Sequence, residues 1–397
     1  MPTRSPGPES PRAARARCFI IAVATLALVG GFAHHALADA PSFTFIAPES
    51  LGGVASGISA DGQSVAGWWN SSTTTSSYIW HAATGRYDFG NEPGILGMVP
   101  FGISGDGQTV VGRGSTTSGQ AGMCRWSGPG TFQVLGTLGN YSLPTARGAS
   151  NDASVIVGEA QDSTGNFGQA FRWTAGGGMQ GLGYLRPGAD TYSTAQAVSR
   201  DGSTIVGWSQ SASLGIVDAF RWTESGGMVA LPRLDAAIGA DARAVNFDGS
   251  IIVGYASLGR AVMWRDGQAT SLGHPTGWRS AVAQCVDDTG VVVGGRGTDG
   301  IGNPGACVWT PGTGMVPLAD YLTANGVTIP AGWTLRDCTG VSADGMTFVG
   351  YGASDTRAGG FIATIPSPGP LAVGLAALPL VARRRRPTSS PNSPDRS

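Results

Sequence analysis

Short runs in which apolar and polar residues alternate recur along most of the chain, separated by Asp-Gly or Gly-rich breaks. One phrase repeats most clearly: Gly57-Ile58-Ser59-Ala60-Asp61-Gly62-Gln63-Ser64-Val65-Ala66-Gly67 returns as Ala197-Val198-Ser199-Arg200-Asp201-Gly202-Ser203-Thr204-Ile205-Val206-Gly207. It occurs seven times, closing on Gly67, Gly112, Gly158, Gly207, Gly254, Gly294 and Gly350. Steps of 40 to 56 residues are a propeller or solenoid period. Six copies carry Asp six residues before that glycine, and the copy ending at Gly294 reads one residue shorter. A second phrase follows, as in Ala170-Phe171-Arg172-Trp173, and a third, as in Gly178-Met179-Gln180-Gly181-Leu182-Gly183.

Each unit therefore offers four short segments rich in Val, Ile, Phe and Trp, which predicts successive antiparallel hairpins. The expected fold is all-β, a seven-bladed β-propeller of four-stranded blades. The last unit runs out after Gly360-Phe361-Ile362-Ala363, while an unpaired segment, Phe43-Thr44-Phe45-Ile46, precedes the first. That segment is expected to complete the seventh blade and close the ring without an exposed edge. An open solenoid would need distinct polar caps, and none is visible.

The termini read as addresses. Residues 1–38 combine Arg4, Arg12, Arg15 and Arg17, an apolar run from Cys18 to Phe32, and Ala36-Leu37-Ala38 as a cleavage site, the layout of a secretory signal. Residues 39–365 form the repeat body. Residues 366–397 begin with Pro366-Ser367-Pro368-Gly369-Pro370, continue as an apolar stretch from Leu371 to Ala382, and close with Arg383 to Arg386 before a short tail. This arrangement resembles the bacterial PEP-CTERM sorting signal, although Pro-Ser-Pro stands where that signal has Pro-Glu-Pro. The resemblance implies that residues 366–386 meet membrane sorting machinery, giving an extracellular or surface-attached product after transient anchoring. A plain stop-transfer tail is the alternative.

Composition narrows the chemistry. The chain has no lysine, which excludes a Schiff base and a Walker A loop. Residues 39–365 hold 16 Arg against 24 acidic residues, a net charge of −8, so a nucleic-acid partner is not expected. Four cysteines remain after cleavage, and one bridge among Cys285, Cys307 and Cys338 is expected in an oxidising compartment. Only His81 and His274 remain, too few for a zinc site. The repeated Asp-Gly reads as a tight two-residue hairpin turn with positive φ rather than a calcium loop. No catalytic residue, metal or cofactor is assigned.

The recurrent Asp-Gly…Val-Gly, Ala-Phe-Arg-Trp and Gly-Met…Leu-Gly phrases are similar to the HAF repeat of bacterial extracellular proteins, with Gln169-Ala170-Phe171 and Asp218-Ala219-Phe220 where that repeat has His-Ala-Phe. The stretch Leu318-Ala319-Asp320-Tyr321-Leu322 through Trp333 looks like an insertion found before the final repeat of such proteins. The resemblance covers most of residues 50 to 365 and implies an exported repeat protein, with no catalytic residues to carry over.

Loop lengths locate a candidate binding face. The third-to-fourth strand turn is constant in five units, whereas the second-to-third and interblade connections vary, and variable loops on a rigid scaffold are where recognition resides. The ligand-binding candidates there are Trp278, Arg279, Trp333, Arg336, Arg147, Arg186, Arg243 and Tyr192, because Arg pairs bidentately with carboxylates and aromatic faces stack on sugars. The expected function is a non-catalytic binding or structural module for an extracellular glycan or surface protein. The alternative is a carbohydrate-active enzyme, a glycosidase or lyase assembled from loop carboxylates such as Asp190, Asp235, Asp241, Asp320 and Asp337.

Overall fold

The computed structural model describes residues 40–47, 52–70, 75–90, 92–165, 167–188, 190–211, 215–234 and 239–367. The predicted secretory signal, Asp235 and most of the predicted sorting signal lie outside the described residues. Among the described residues the repeat body is all-β apart from one helix, Leu318–Ala324. Each repeat forms an antiparallel four-strand meander, as in Gly53–Ile58, Ser64–Asn70, Thr75–His81 and Gly85–Asp88. Two consecutive meanders, starting at Leu143–Ala149 and Asp190–Val198, are joined into one eight-stranded sheet by a single parallel pairing of Gly168 with Tyr192. The last repeat supplies Thr334–Val341, Thr347–Ala353 and Ala358–Thr364, and its fourth strand is N-terminal: Ser42–Phe45 pairs with Ala358–Thr364, placing Phe45 opposite Phe361. The ring of Phe43 stacks on Phe361 at 5.5 Å.

The first strand of every repeat lies against the first strand of the next, and Gly53–Ile58 also lies against Thr334–Val341. Backbone hydrogen bonds link the turns that follow these inner strands. Ala60 donates to Gly105, Asp106 to Asn151, Asn151 to Arg200, Asp201 to Phe247, Asp288 to Ala343, and Ala343 to Ala60. Between Phe247 and Asp288 the link is the Asn246 side-chain amide donating to the Asp288 carbonyl at 3.0 Å.

The repeated Asp-Gly phrase builds these turns. Asp61 accepts from the Ser59 hydroxyl at 2.6 Å and from the Gln63 N–H at 2.9 Å, while Ser59 Oγ accepts from the Ser64 N–H at 2.9 Å. Gly62 takes φ +73°, which a side chain would resist. The same bonds recur around Asp106, Asp152, Asp201 and Asp344. The carboxylates are thereby committed to the turn, and hydrogen bonds from Ser154 and Ser250 hold Asp152 and Asp248 below the ordinary aspartate range.

The sixth copy is not shorter. Asp287 occupies the serine position, accepting from the Val292 N–H at 2.9 Å, and Thr289 stands in the aspartate position. The closing glycine is Gly295, opposite Ala283, rather than Gly294. The displaced carboxylate hid this register, because Asp288 sits one residue after the turn-forming Asp287.

The closing glycines have one physical cause. In each repeat the first strand carries a β-bulge beside the residue paired with that glycine, at Ser56, Phe101, Arg147, Gln196, Arg243, Gln284 and Thr339. The bulge brings a carbonyl against the glycine, so a Cβ at Gly158 would lie 1.9 Å from the Thr145 oxygen, and one at Gly295 1.9 Å from that of Val282. The Val-Gly ending of each phrase thus permits a bulge, and the bulge re-aims one inner-strand side chain.

The expected cysteine bridge is not formed: Cys124, Cys285, Cys307 and Cys338 are buried free thiols. Cys285 and Cys338 occupy small-residue positions of neighbouring inner strands, with their sulfurs 3.9 Å apart over Gly294. Cys307 faces Gly295 as Phe171 faces Gly158, so it fills a core position. The long connection before the last repeat is also structural, since Leu318 and Leu322 of its helix are fully buried with Phe348 and Phe361.

Candidate functional site

The seven bulged residues converge. Ser56, Phe101, Arg147, Gln196, Arg243, Gln284 and Thr339, one from each repeat, line a single cavity of about 170 Å³ between the inner strands. A cavity of about 250 Å³ overlaps it, sharing every ring residue but Ser56, and extends along the small residues that follow, among them Gly57, Gly102, Gly148, Ala197 and Gly340, to Ile103, Val198, Val286 and Val341. Small side chains there let neighbouring backbones touch; a Cβ at Gly102 would lie 2.8 Å from the Arg147 carbonyl. Apolar residues nearer the turns narrow the passage. At the turn end Arg200 reaches past Gly105 and hydrogen-bonds Asp288, bridging across the intervening repeat. The cavity therefore opens towards the variable loops.

The ring itself contains no acid, and its two cations are held from behind. Glu159, 2% exposed, grips Arg147 bidentately, with Nε–Oε2 at 2.5 Å and Nη2–Oε1 at 2.8 Å. Burial works against the Arg147 charge, but Glu159 outweighs it and raises the pKa above the usual arginine value. Arg147 also lies over the Phe101 ring, 5.9 Å from its centroid. Arg243 meets Asp241 at 2.8 Å through Nε and lies over Tyr255. Burial pushes Asp241 up to about 6, against the pull of Arg243 and then of Arg147. The Gln284 amide donates to Asp337, whose pKa burial raises against the opposing pull of Arg296. Thr339 Oγ1 donates to the Ala55 carbonyl at 2.6 Å.

Of the candidates named from sequence, only Arg147 and Arg243 stand in this ring. Tyr192 is adjacent, stacked on Trp208 at 5.4 Å, with burial and then Glu159 pushing its hydroxyl up to about 12. Arg279 and Arg336 occupy second bulges nearer the loops, Arg279 exposed and Arg336 half-buried. The rest are structural. Trp278 covers two glycines of its own sheet, where a Cβ at Gly305 would lie 2.4 Å from the indole. Trp333 packs on Phe45 with ring centroids 4.0 Å apart. Arg186 ties Asp190 at 2.8 Å to Asp218 at 2.6 Å, and Arg233 completes that cluster.

Among the described residues the proposed loop carboxylates do not converge. Asp190 belongs to the Arg186 cluster, Asp320 lies in the first turn of the helix, and Asp241 and Asp337 sit behind the ring. Among the described residues no three His, Cys, Asp or Glu side chains gather as a metal site. Loop-length reasoning missed Ser56, Phe101, Gln196, Gln284 and Thr339. A signal existed: three residues before each turn serine or its substitute, one position varies among Ser, Phe, Arg, Gln and Thr while its followers stay small, then apolar.

No family model and no curated protein matches the chain. Among solved structures it is similar to an oligogalacturonate lyase from Vibrio parahaemolyticus, at 12% identity and a TM-score of 0.57, covering 82% of this chain and 94% of that one. An oligogalacturonate lyase in complex with manganese matches at 13% identity and TM-score 0.51, over 82% and 93% of the two chains. The WD40 β-propeller domain of Doa1 matches at 12% identity and TM-score 0.47, over 80% and 96%. At these identities the likeness is one of fold alone; four-stranded meanders packed first strand against first strand make that fold a β-propeller.

Proposed function

We propose that this chain is an exported, closed seven-bladed β-propeller that acts as a non-catalytic binding module, taking an extracellular glycan or surface protein into its axial cavity from the variable-loop face. The observation that carries this reading is the ring of seven bulged side chains, because seven repeats each maintain a bulge and its glycine and then place different polar or aromatic groups at the same spot. Pairing of Ser42–Phe45 with the last repeat, and the turn-to-turn hydrogen bonds returning to Ala60, support ring closure. Residues 1–38 and 366–397 are read as export and sorting signals, the latter engaging membrane sorting machinery. The non-catalytic reading rests on the carboxylates near the cavity, Glu159, Asp241 and Asp337, each held by an arginine or an amide.

The test is retention of the full chain on immobilised bacterial and algal polysaccharides and on surface-protein extracts, with the supernatant analysed for released sugar. Retention lost in a Gln196→Ala/Phe101→Ala variant, with no sugar released, is the predicted result. Released oligosaccharides would establish the carbohydrate-active alternative, and retention untouched by the double variant would remove the cavity from the account.

A further inference from the structure

We infer that the axial cavity takes the terminal residue of an acidic sugar chain, with Arg147 and Arg243 holding its carboxylate. This deepens the binding-module reading and rests on it. The charge layout comes first. Both ring cations have their acids behind them, so what remains for a ligand is donor capacity. Glu159 occupies Nε and Nη2 of Arg147, leaving Nη1, and Asp241 stands at Nε of Arg243, leaving both amino groups without a hydrogen-bond partner among the described residues. A carboxylate accepts such bonds in pairs, and charge-assisted bonds are the strong ones. The body carries a net −8 between residues 39 and 365, so long-range attraction of an anion is absent and recognition must come from direct contact inside the cavity, where screening is weakest.

The other ring positions choose a sugar over an acidic peptide. Gln196 and Ser56 both donate and accept. The amide of Gln284, whose nitrogen is committed to Asp337, keeps its carbonyl as an acceptor. That mixture suits hydroxyl groups, which themselves do both. Phe101 is 39% exposed and offers a ring face for the C–H side of a pyranose. An aspartate or glutamate side chain would use the arginines and leave these groups without partners. The size of the ring and the Arg200–Asp288 pair at the turn end then favour an end residue over a threaded chain. A cavity of about 170 Å³ holds, at about 30 Å³ per water, roughly six waters, the bulk of one sugar ring. Towards the turns the passage is lined by apolar side chains, and Arg200 pairs with Asp288 across the intervening repeat.

Calorimetric titration of the full chain tests this with trimers of glucuronic, mannuronic and galacturonic acid, each against its carboxyl-reduced neutral counterpart, and with a short polyglutamate peptide. At least one uronate trimer should bind, and its neutral counterpart about tenfold or more weaker, a loss of ~1.4 kcal/mol. Arg243→Gln should weaken the acidic trimer by a similar factor and narrow its margin over the neutral one. Phe101→Ala should weaken both. Gln196→Ala breaks no ion pair and keeps the test open if the arginine variant fails to fold. Equal binding of acidic and neutral trimers would overturn the inference, as would tighter binding of the peptide. Retention of intact polysaccharide without binding of any trimer would overturn the end-residue assignment yet leave the binding-module reading standing. Absence of any retention would remove both.

Discussion

Gly158→Ala isolates the link between the repeat glycine and the axial ring. The new Cβ would lie 1.9 Å from the Thr145 carbonyl oxygen, 2.9 Å from its carbon and 3.0 Å from the Phe171 ring, where ordinary contact begins at 3.4 Å. The first two atoms are backbone of the bulged strand, so relief requires that strand to move by more than 1 Å, roughly the shortfall in contact distance. Overpacking of this kind costs about 1–3 kcal/mol, and a lost ladder hydrogen bond adds about 1. A body of roughly 330 residues has an unfolding entropy near 0.7 kcal/mol/K at about 2.1 cal/mol/K per residue, so a loss of about 3 kcal/mol lowers the melting temperature by about 4 °C. Gly176 is the control: it takes no positive φ and its Cβ would meet nothing within 4 Å. Gly176→Ala should melt within about 1 °C of the parent. Differential scanning calorimetry on the three proteins decides the matter, and equal melting of the two variants would refute the bulge argument.

Removing residues 39–48 should destabilise the whole body, because Ser42–Phe45 covers the edge strand Ala358–Thr364; an unchanged melting temperature would contradict the pairing's role. Trp333→Ala should cost about 1–3 kcal/mol in urea unfolding through loss of the Phe45 contact, with polysaccharide retention unchanged; lost retention at full stability would return that loop to the binding face. Asp241 sets a pH dependence. Its folded pKa of about 6 lies above the ordinary 3.8, so between those values the unfolded chain has released a proton that the folded one keeps, and stability falls as pH rises through that window. The loss is on the order of 3 kcal/mol. Urea midpoints at pH 4 and pH 7 should show this decline in the parent and a smaller one in Asp241→Asn; parallel declines would remove Asp241 as its source.

The hairpin order, the constant turn and the N-terminal partner strand were legible in the sequence because local rules govern them. Asp-Gly between β-branched runs marks a turn, although the loop holds four residues between Ser59 and Ser64 rather than the expected two, and the six-residue step from Trp173 to Met179 returns as a cross-strand pair, as it does from Trp222 to Met228. The sixth repeat misled because Asp287 and Thr289 exchange the usual Ser and Asp places: Asp287 keeps the bond from the Val292 N–H, while the link between the two side chains runs from the Thr289 hydroxyl to Asp287. Loop length also misled about the site. Trp278 and Trp333 lie in or beside variable connections, yet each fills space left by glycines or by the N-terminal strand, a contact between segments far apart in the chain. The axial ring follows from bulges, and a bulge is visible in sequence only through the glycine facing it. Aligning the seven units on that glycine places Arg147, Gln196 and Arg243 in one column, but their convergence on one cavity depends on how the inner strands of different units pack together rather than on any single unit.

The most direct test of the axial recognition site is a crystal structure of the protein soaked with a uronic acid trimer. The account predicts one sugar residue between Phe101, Arg147 and Arg243, its carboxylate within hydrogen-bond reach of both guanidinium groups and the remaining residues leading out towards the variable loops. Sugar bound instead beside Trp278 and Trp333, with the axial cavity empty, would contradict it.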